Sequence, residues 1–444
     1  MKTLIKAGIL LTMDDQHTIY EPGHLLMDDA GRILRVGEPR EVPEMEADQV
    51  VDFSNRLMMP GLINAHAHSP MTLFRGLAEG ISLFTMEGFL NCLRRLEAAA
   101  DARMVPAAVE VTCAEMIRTG TTCFADQYFY TRDIYPVVDK SGLRAALAYG
   151  IVELGDPQSR ERELAAATAF LESLSDHPRI KGWVGPHAFF VDNSEEIILR
   201  ELALAERFDT GLHIHFATSS EEEDYCQDKF GISAVQRMKD LGILDFPVLA
   251  AHSITVPESD FSTLAESQFS AVICPSSSMR SGFPAAPLKA MLAAGVNAAL
   301  GTDNVANANS YDLIREMDVA AKLMIYREQE PGAIPAETIV ELATMGGARA
   351  LGWEDRIGSL EAGKQADLIA LDLTDIGWGP KGAQDLYTAI VYAISGMHVT
   401  DVMVDGEWLL REKEWLTVDY PAAVKQMNRD YSRLTENIKK LEGK

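Results

Sequence analysis

Between residues 57 and 303, short apolar runs alternate with longer segments whose apolar positions recur every three or four residues. That is the pattern of strands joined by crossover helices in a parallel sheet. Eight runs have strand character: Leu57–Ile63, Thr121–Asp126, Leu143–Tyr149, Ile180–His187, Thr210–His215, Val248–His252, Ala271–Pro275 and Val296–Asp303. Eight strands close a (β/α)8 barrel, so the expected fold class is α/β with a TIM-like barrel. The ends of the chain have a different rhythm. Leu4–Thr12, His24–Met27 and Ile33–Val36 are short runs separated by Asp14-Asp15, Pro22-Gly23 and Asp29-Ala30-Gly31 turn signals. They are too few to bury a core, and similar runs return at Ala366–Asp372 and Val402–Leu410. The pattern predicts a small composite β-sandwich domain from residues 1–56 and 360–418, a barrel over 57–359 and a C-terminal helix over 419–444. In that helix Val424, Met427, Tyr431, Leu434, Ile438 and Leu441 fall on one face, predicting packing or subunit contact. A homo-oligomer is the expectation.

Composition narrows the partners. The 444 residues carry a formal net charge of -26, which disfavours nucleic acid and anionic membranes but says little about the expected small-molecule substrate. No apolar run reaches spanning length and no charged-then-apolar leader opens the chain, so a cytoplasmic protein without membrane contact is expected. Five cysteines are scattered without Cys-x-x-Cys spacing, which argues against a disulfide framework or a zinc knuckle.

The candidate chemistry lies at the strand ends. In His66-Ala67-His68 the two imidazoles project to the same side of a strand, a geometry suited to sharing a metal ion. Later ends carry His187, His215, His252 and Asp303, so five of the ten histidines fall on one rim of the predicted barrel. Barrels of this type place their chemistry on that rim.

The runs Met58-Met59-Pro60-Gly61-Leu62-Ile63-Asn64-Ala65-His66-Ala67-His68, Met71-Thr72-Leu73-Phe74-Arg75-Gly76, Gly185-Pro186-His187-Ala188, Leu212-His213-Ile214-His215, Ala251-His252-Ser253 and Leu300-Gly301-Thr302-Asp303 resemble the amidohydrolase superfamily. So does Ile357-Gly358-Ser359-Leu360-Glu361-Ala362-Gly363-Lys364-Gln365-Ala366-Asp367-Leu368. Within the superfamily the chain is similar to the deaminases of methylthioadenosine and S-adenosylhomocysteine and to the triazine hydrolases. The resemblance implies that His66, His68, His215 and Asp303 bind one divalent metal, zinc or iron. It further implies that His252 faces the attacking water, that His187 stands on the substrate side and that Asp303 doubles as base. Two-metal relatives use a carboxylated lysine at the end of the fourth strand, where this chain has His187; Lys181 lies at that strand's start, as a solvated residue of the opposite rim.

The departures bear on substrate. Related deaminases keep a glutamate three residues after the fifth-strand histidine, and this chain has Thr218, whose hydroxyl can donate a hydrogen bond but cannot shuttle protons near neutral pH. Ile273, Ser278 and Asn304 also depart from the usual residues. The segment Phe84–Leu96 corresponds to an aromatic lid, and Glu87, Phe89, Ser278 and Arg280 join His187 as candidate substrate contacts. Glu221, Glu222 and Glu223 read as first-turn acids, with Ser220 and Glu223 forming a capping box, and His213 reads as a core histidine one layer below the rim. The expected function is metal-dependent hydrolysis of a non-peptide C–N bond, by deamination of an amino-substituted nitrogen heterocycle. Thr218 leaves two alternatives: a hydrolase that expels thiolate, chloride or alkylamine or opens a cyclic amide, and a metal-binding protein without catalysis.

Overall fold

A computed structural model describes residues 1–174, 176–379 and 385–443. Residues 380–384 of the predicted 360–418 segment, and residue 444 of the predicted C-terminal helix, lie outside the described residues. Eight parallel strands follow one another around the barrel: Leu62–Ala67, Thr121–Tyr128, Arg144–Ile151, Ile180–Pro186, Leu212–Phe216, Val248–His252, Phe269–Ile273 and Asn297–Leu300. The ring is completed by a bridge between Ala67 and Asp303, in which Asp303 N–H donates to the His66 carbonyl at 3.0 Å. Closure therefore sets the two ends of the ring, and two of the predicted ligands, side by side. Small and branched side chains such as Ala125, Ala146, Ala148, Leu249, Val272 and Ala299 form a core of their own with Trp183 and Trp353. Lys181 Nζ rests over the Trp353 ring at 4.8 Å, at the end of the barrel away from the histidines.

One predicted strand is corrected. Leu57–Ile63 was expected to open the barrel, yet Leu57–Pro60 belongs to the longer strand Gln49–Pro60, and the barrel begins at Leu62, beyond Gly61. The confusion has a physical source. Leu57 and Met59 face the barrel-side core while Met58 faces the terminal core, so this stretch is buried on both faces like a barrel strand. The other seven lie where the pattern placed them, with ends shifted by at most three residues.

The terminal segments build one continuous nine-stranded sheet. Its main path runs Glu414–Trp415, Glu407–Arg411, Val399–Val404, Leu368–Asp372, Gln49–Pro60, Lys2–Leu11, Gly23–Asp28 and Ile33–Gly37, with Ile19–Tyr20 paired to Lys2–Leu11. Three strand spacings separate the strands of Phe53 and Trp408, about 14 Å in a flat sheet. Their rings lie 5.7 Å apart, so the sheet curls over a core that includes Ile5, Leu25, Phe53, Met58, Leu368 and Met403. The sandwich-like core is thus made by one sheet bending on itself. Asp405-Gly406 makes the tight turn between Val399–Val404 and Glu407–Arg411, with both residues at positive φ, +51° and +79°.

Arg144, at the start of the third barrel strand, ties this sheet to the barrel. It is fully buried and donates to both Asp367 oxygens at 2.9 and 3.1 Å and to Asp405 at 2.6 Å. The C-terminal helix Tyr420–Leu441 packs on the helices Val105–Arg118 and Arg94–Ala99, burying Ala423, Asp430 and Leu434 and half-burying Met427 and Ile438. Tyr431 and Leu441, expected on that face, are exposed, because the contact follows the stripe one residue over. No helix among the described residues is long and apolar enough to cross a membrane.

Candidate active site

Each predicted ligand is turned toward one point by a hydrogen bond on its far side. A carbonyl oxygen can only accept, so His68 Nδ1–H donates to the Gln127 carbonyl at 2.6 Å and His215 Nδ1–H to the His187 carbonyl at 2.9 Å. Their Nε2 atoms are then acceptors, and they face each other at 3.3 Å. Asp303 Oδ1 lies 3.2 Å from His68 Nε2 and 3.5 Å from His66 Nε2. His66 Nδ1 is 2.7 Å from His213 Nε2, and His66 Nε2 is buried without a partner. Convergence of so many lone pairs in a dry site is repulsive until a cation stands among them. The donor set fits one divalent metal. His66, His68 and Asp303 place ligand atoms within 4.8 Å of one another, and so do His66, His215 and His252.

The electrostatics agree for His66, His215 and His252, while at His68 burial is outweighed by the Asp303 carboxylate, which raises the imidazole. Burial holds His66 at about 4 and His252 at about 3, and it drives His215 well below the ordinary imidazole value with help from the neighbouring histidines. These rings are neutral, the form that binds metal. Burial alone would raise Asp303, but the close approach of His66, His68 and His252 outweighs it and keeps the carboxyl well below its usual range.

The local backbone explains the placement. Asp303, His252 and Ser253 adopt positive φ of +59°, +79° and +49°, a conformation uncommon for such residues and frequent at functional sites. At Gly301 a Cβ would lie 2.9 Å from His66 Cβ and 3.0 Å from His66 N, so only glycine lets the eighth strand approach the first this closely. Ser277 donates to Asp303 Oδ2 and is held in turn by Asn307 Nδ2 at 3.1 Å. These positioning residues had no local sequence signal, because Ser277 and Asn307 come from different connections. His213 is the core histidine expected from the sequence, and its role is to orient His66.

Above the ligands lies a cavity walled by Phe84, Phe89, Leu93, Tyr128 and Phe129, with His187, Thr218, Glu97, Glu221 and Glu222 among its polar lining. Phe84 lies 4.4 Å from the His252 ring, and Phe89 stacks on His187 at 5.0 Å with a 26° interplanar angle. His187 Nδ1–H donates to Asp192 Oδ2 at 2.5 Å, leaving Nε2 as the acceptor. Three expected substrate contacts stand elsewhere. Glu87 is exposed on the outer side of the lid helix, Ser278 donates to the Cys274 carbonyl at 3.2 Å, and Arg280 pairs with Glu79 and with the Asn307 carbonyl. None of the three lines the cavity. Glu97 does line it, bound by Arg94 at 2.7 Å, one residue past the segment expected to form the lid.

The capping box is also corrected. Ser220 makes no side-chain cap and donates instead to Asp224, while Glu223 accepts from Gln227 and from Ala234 N–H. Glu221 stands at the exposed mouth of the cavity, whereas Glu222 turns inward and is buried.

The pattern of the amidohydrolase family matches residues 57–409. A 5-methylthioadenosine/S-adenosylhomocysteine deaminase of Nitratidesulfovibrio vulgaris is 36% identical over 436 residues, covering 97% of each chain. A 5'-deoxyadenosine deaminase of Methanosarcina acetivorans is 34% identical, over 95% of this chain and 96% of its own. Among solved structures, an adenosine deaminase from Xanthomonas campestris with bound zinc superposes with a TM-score of 0.91 at 30% identity, over 98% of both chains. An atrazine chlorohydrolase from Arthrobacter aurescens, complexed with zinc, shares the fold at a TM-score of 0.85 and 21% identity, over 97% of this chain and 100% of its own. The family match over most of the chain, and relatives more than a third identical along nearly all of it, make this protein a member of the amidohydrolase family and a metal-dependent hydrolase of a C–N bond.

Proposed function

We propose that the protein uses a single zinc ion to replace the exocyclic amino group of a nitrogen heterocycle by oxygen, with release of ammonia. The observation that carries this reading is the convergence of the His66, His68 and His215 Nε2 atoms and Asp303 Oδ1 beneath a cavity flanked by Phe84 and Phe89. His66, His68, His215 and Asp303 would hold the ion, which when bound supplies a Lewis acid and makes water acidic enough to ionise near pH 7. Zinc is favoured over iron because the related adenosine deaminase holds zinc.

The chain's own groups do the rest. Asp303 is ionised, so it can take a proton from the attacking water, while Ser277 fixes its other oxygen. His252, with a buried and unpartnered Nδ1, stands beside the ligands where it can orient that water. Phe84 and Phe89 offer ring faces to a planar base, and His187 Nε2 can accept a hydrogen bond from its amino group. Several relatives are named for adenine-bearing substrates, which makes 6-aminopurine nucleosides the first class to try.

Thr218 supports a second reading, in which the leaving group is chloride, thiolate or alkylamine and no strong acid is needed. The exposed Leu416, Tyr431 and Leu441 around the C-terminal helix support a homo-oligomer. Metal analysis followed by an ammonia-release screen over purines, pterins, pyrimidines and triazines separates the readings. Ammonia from an aminopurine supports the first; chloride or alkylamine release with no ammonia from any aminated ring overturns it.

A further inference from the structure

Thr218 leaves open which group protonates the ring nitrogen, since deamination needs a proton on the heterocycle as water attacks the carbon that bears the amino group. Among the carboxyl groups near the barrel rim, Glu87 and Glu223 do not line the cavity, and Asp126 is occupied by Ser69, whose N–H and Oγ donate to it at 2.6 Å each. Glu221 is exposed at the mouth. Glu222 differs from all of these. It sits in the first turn of the helix Glu221–Phe230, lines the same cavity as Thr218, and is only 2% exposed. Its Oε1 accepts from the Ala217 N–H at 3.1 Å, and its Oε2 is buried with no partner among the described residues.

We infer that Glu222 is the proton donor of this deaminase, taking from the next turn of chain the work that position 218 has lost. The inference rests on the deaminase reading above. The Ala217 N–H makes Oε1 the acceptor oxygen, so a proton on the carboxyl resides on Oε2, which has no competing partner among the described residues. The step balances. Water oxygen bonds to the ring carbon as Asp303 takes one water proton and Glu222 Oε2 gives its proton to the adjacent ring nitrogen. The C–N bond then breaks, and the proton held by Asp303 leaves on the amine as ammonia. The remaining hydroxyl proton returns to Glu222 as the carbonyl forms.

The surroundings keep the acid loaded. Burial is the main cause that pushes Glu222 up to about 8, with the carboxylates of Glu221 on its own helix and Asp192 on the loop after the fourth strand adding to it. His68, Glu97, Tyr128, His187, His215, His252 and Asp303 are the other charged or titratable groups of the cavity.

The test compares zinc-loaded wild type with Glu222→Gln on an aminopurine substrate and on its chloro analogue. The variant should lose at least about a hundredfold in kcat for ammonia release, keep KM and zinc content, and lose the alkaline limb of the pH profile near 8. Chloride release from the analogue should fall far less. The infrared difference between the two proteins at pH 7 should show a protonated carboxyl band in wild type that the variant lacks. Wild-type kcat in the variant, an unchanged alkaline limb or the absence of that band overturns the inference while leaving the deaminase reading in place. If wild type releases no ammonia from any aminated heterocycle, both fall together.

Discussion

Glu222 is pulled two ways: the helix N-terminus favours its carboxylate, and burial against the cavity wall favours the neutral acid. Burial prevails, with a consequence for stability. The group titrates at about 8 when folded and near 4.3 in an unfolded chain, so between those values the folded state binds a proton that the unfolded state does not. Stability contributed by that proton is present below about pH 4 and is lost as pH rises through 8, on the order of 5 kcal/mol in all. Glu222→Gln, neutral throughout, should unfold at a higher temperature than wild type at pH 8.5, with a smaller gap at pH 5. Parallel unfolding temperatures at both pH values would contradict it. The sequence showed three consecutive glutamates at a helix start, and the helix-terminus reading was apt for the exposed Glu221. Which of the three turns inward depends on how the helix leaves the fifth strand, through Ala217 at positive φ, and nothing local reports that. His66 and His68 were legible because their spacing alone puts them on one face of a strand. Ser277 and Gln127 were not, because their partners lie 26 and 59 residues away in the chain, and Asp192, only five residues from His187, stood in no motif that marked it.

The strands show the same division between local and distant information. Short apolar runs set between helix-period segments marked nearly every barrel strand, whereas Gln49–Pro60 misled because its last residues are buried on both faces in the same way. We propose that the two ends of the chain form one folding unit around this strand. Leu368–Asp372 pairs with it antiparallel and Lys2–Leu11 parallel, so neither terminus completes the sheet alone. A chain cut after residue 360 keeps every predicted ligand but bares the edge of Gln49–Pro60 and leaves Arg144 buried without Asp367 and Asp405. Loss of a buried partner of this kind costs about 3–5 kcal/mol, and an open edge invites aggregation. The truncated protein should be recovered insoluble or unfolded. A soluble form with unchanged thermal unfolding would show that the terminal sheet is dispensable.

Over the whole molecule, the curled sheet covers one side of the barrel, the C-terminal helix covers another, and the site opens at the strand ends. The ring closes through the same Ala67–Asp303 bridge that brings Asp303 to His66, so a metal held there joins the first, fifth and eighth strands. The expected architecture was visible in the sequence because a strand-and-helix pattern recurred eight times and five of the strand ends carried His or Asp. The curl of the terminal sheet was not, since it arises from contacts between strands hundreds of residues apart. The central claim, a one-metal hydrolase that releases ammonia, is tested most directly by adding zinc to chelator-stripped protein while following ammonia release from an aminopurine substrate. Activity should be absent at the start, rise in proportion to added zinc and level off at about one equivalent per chain. Undiminished activity in the stripped protein, or a plateau reached only at two equivalents, would contradict it.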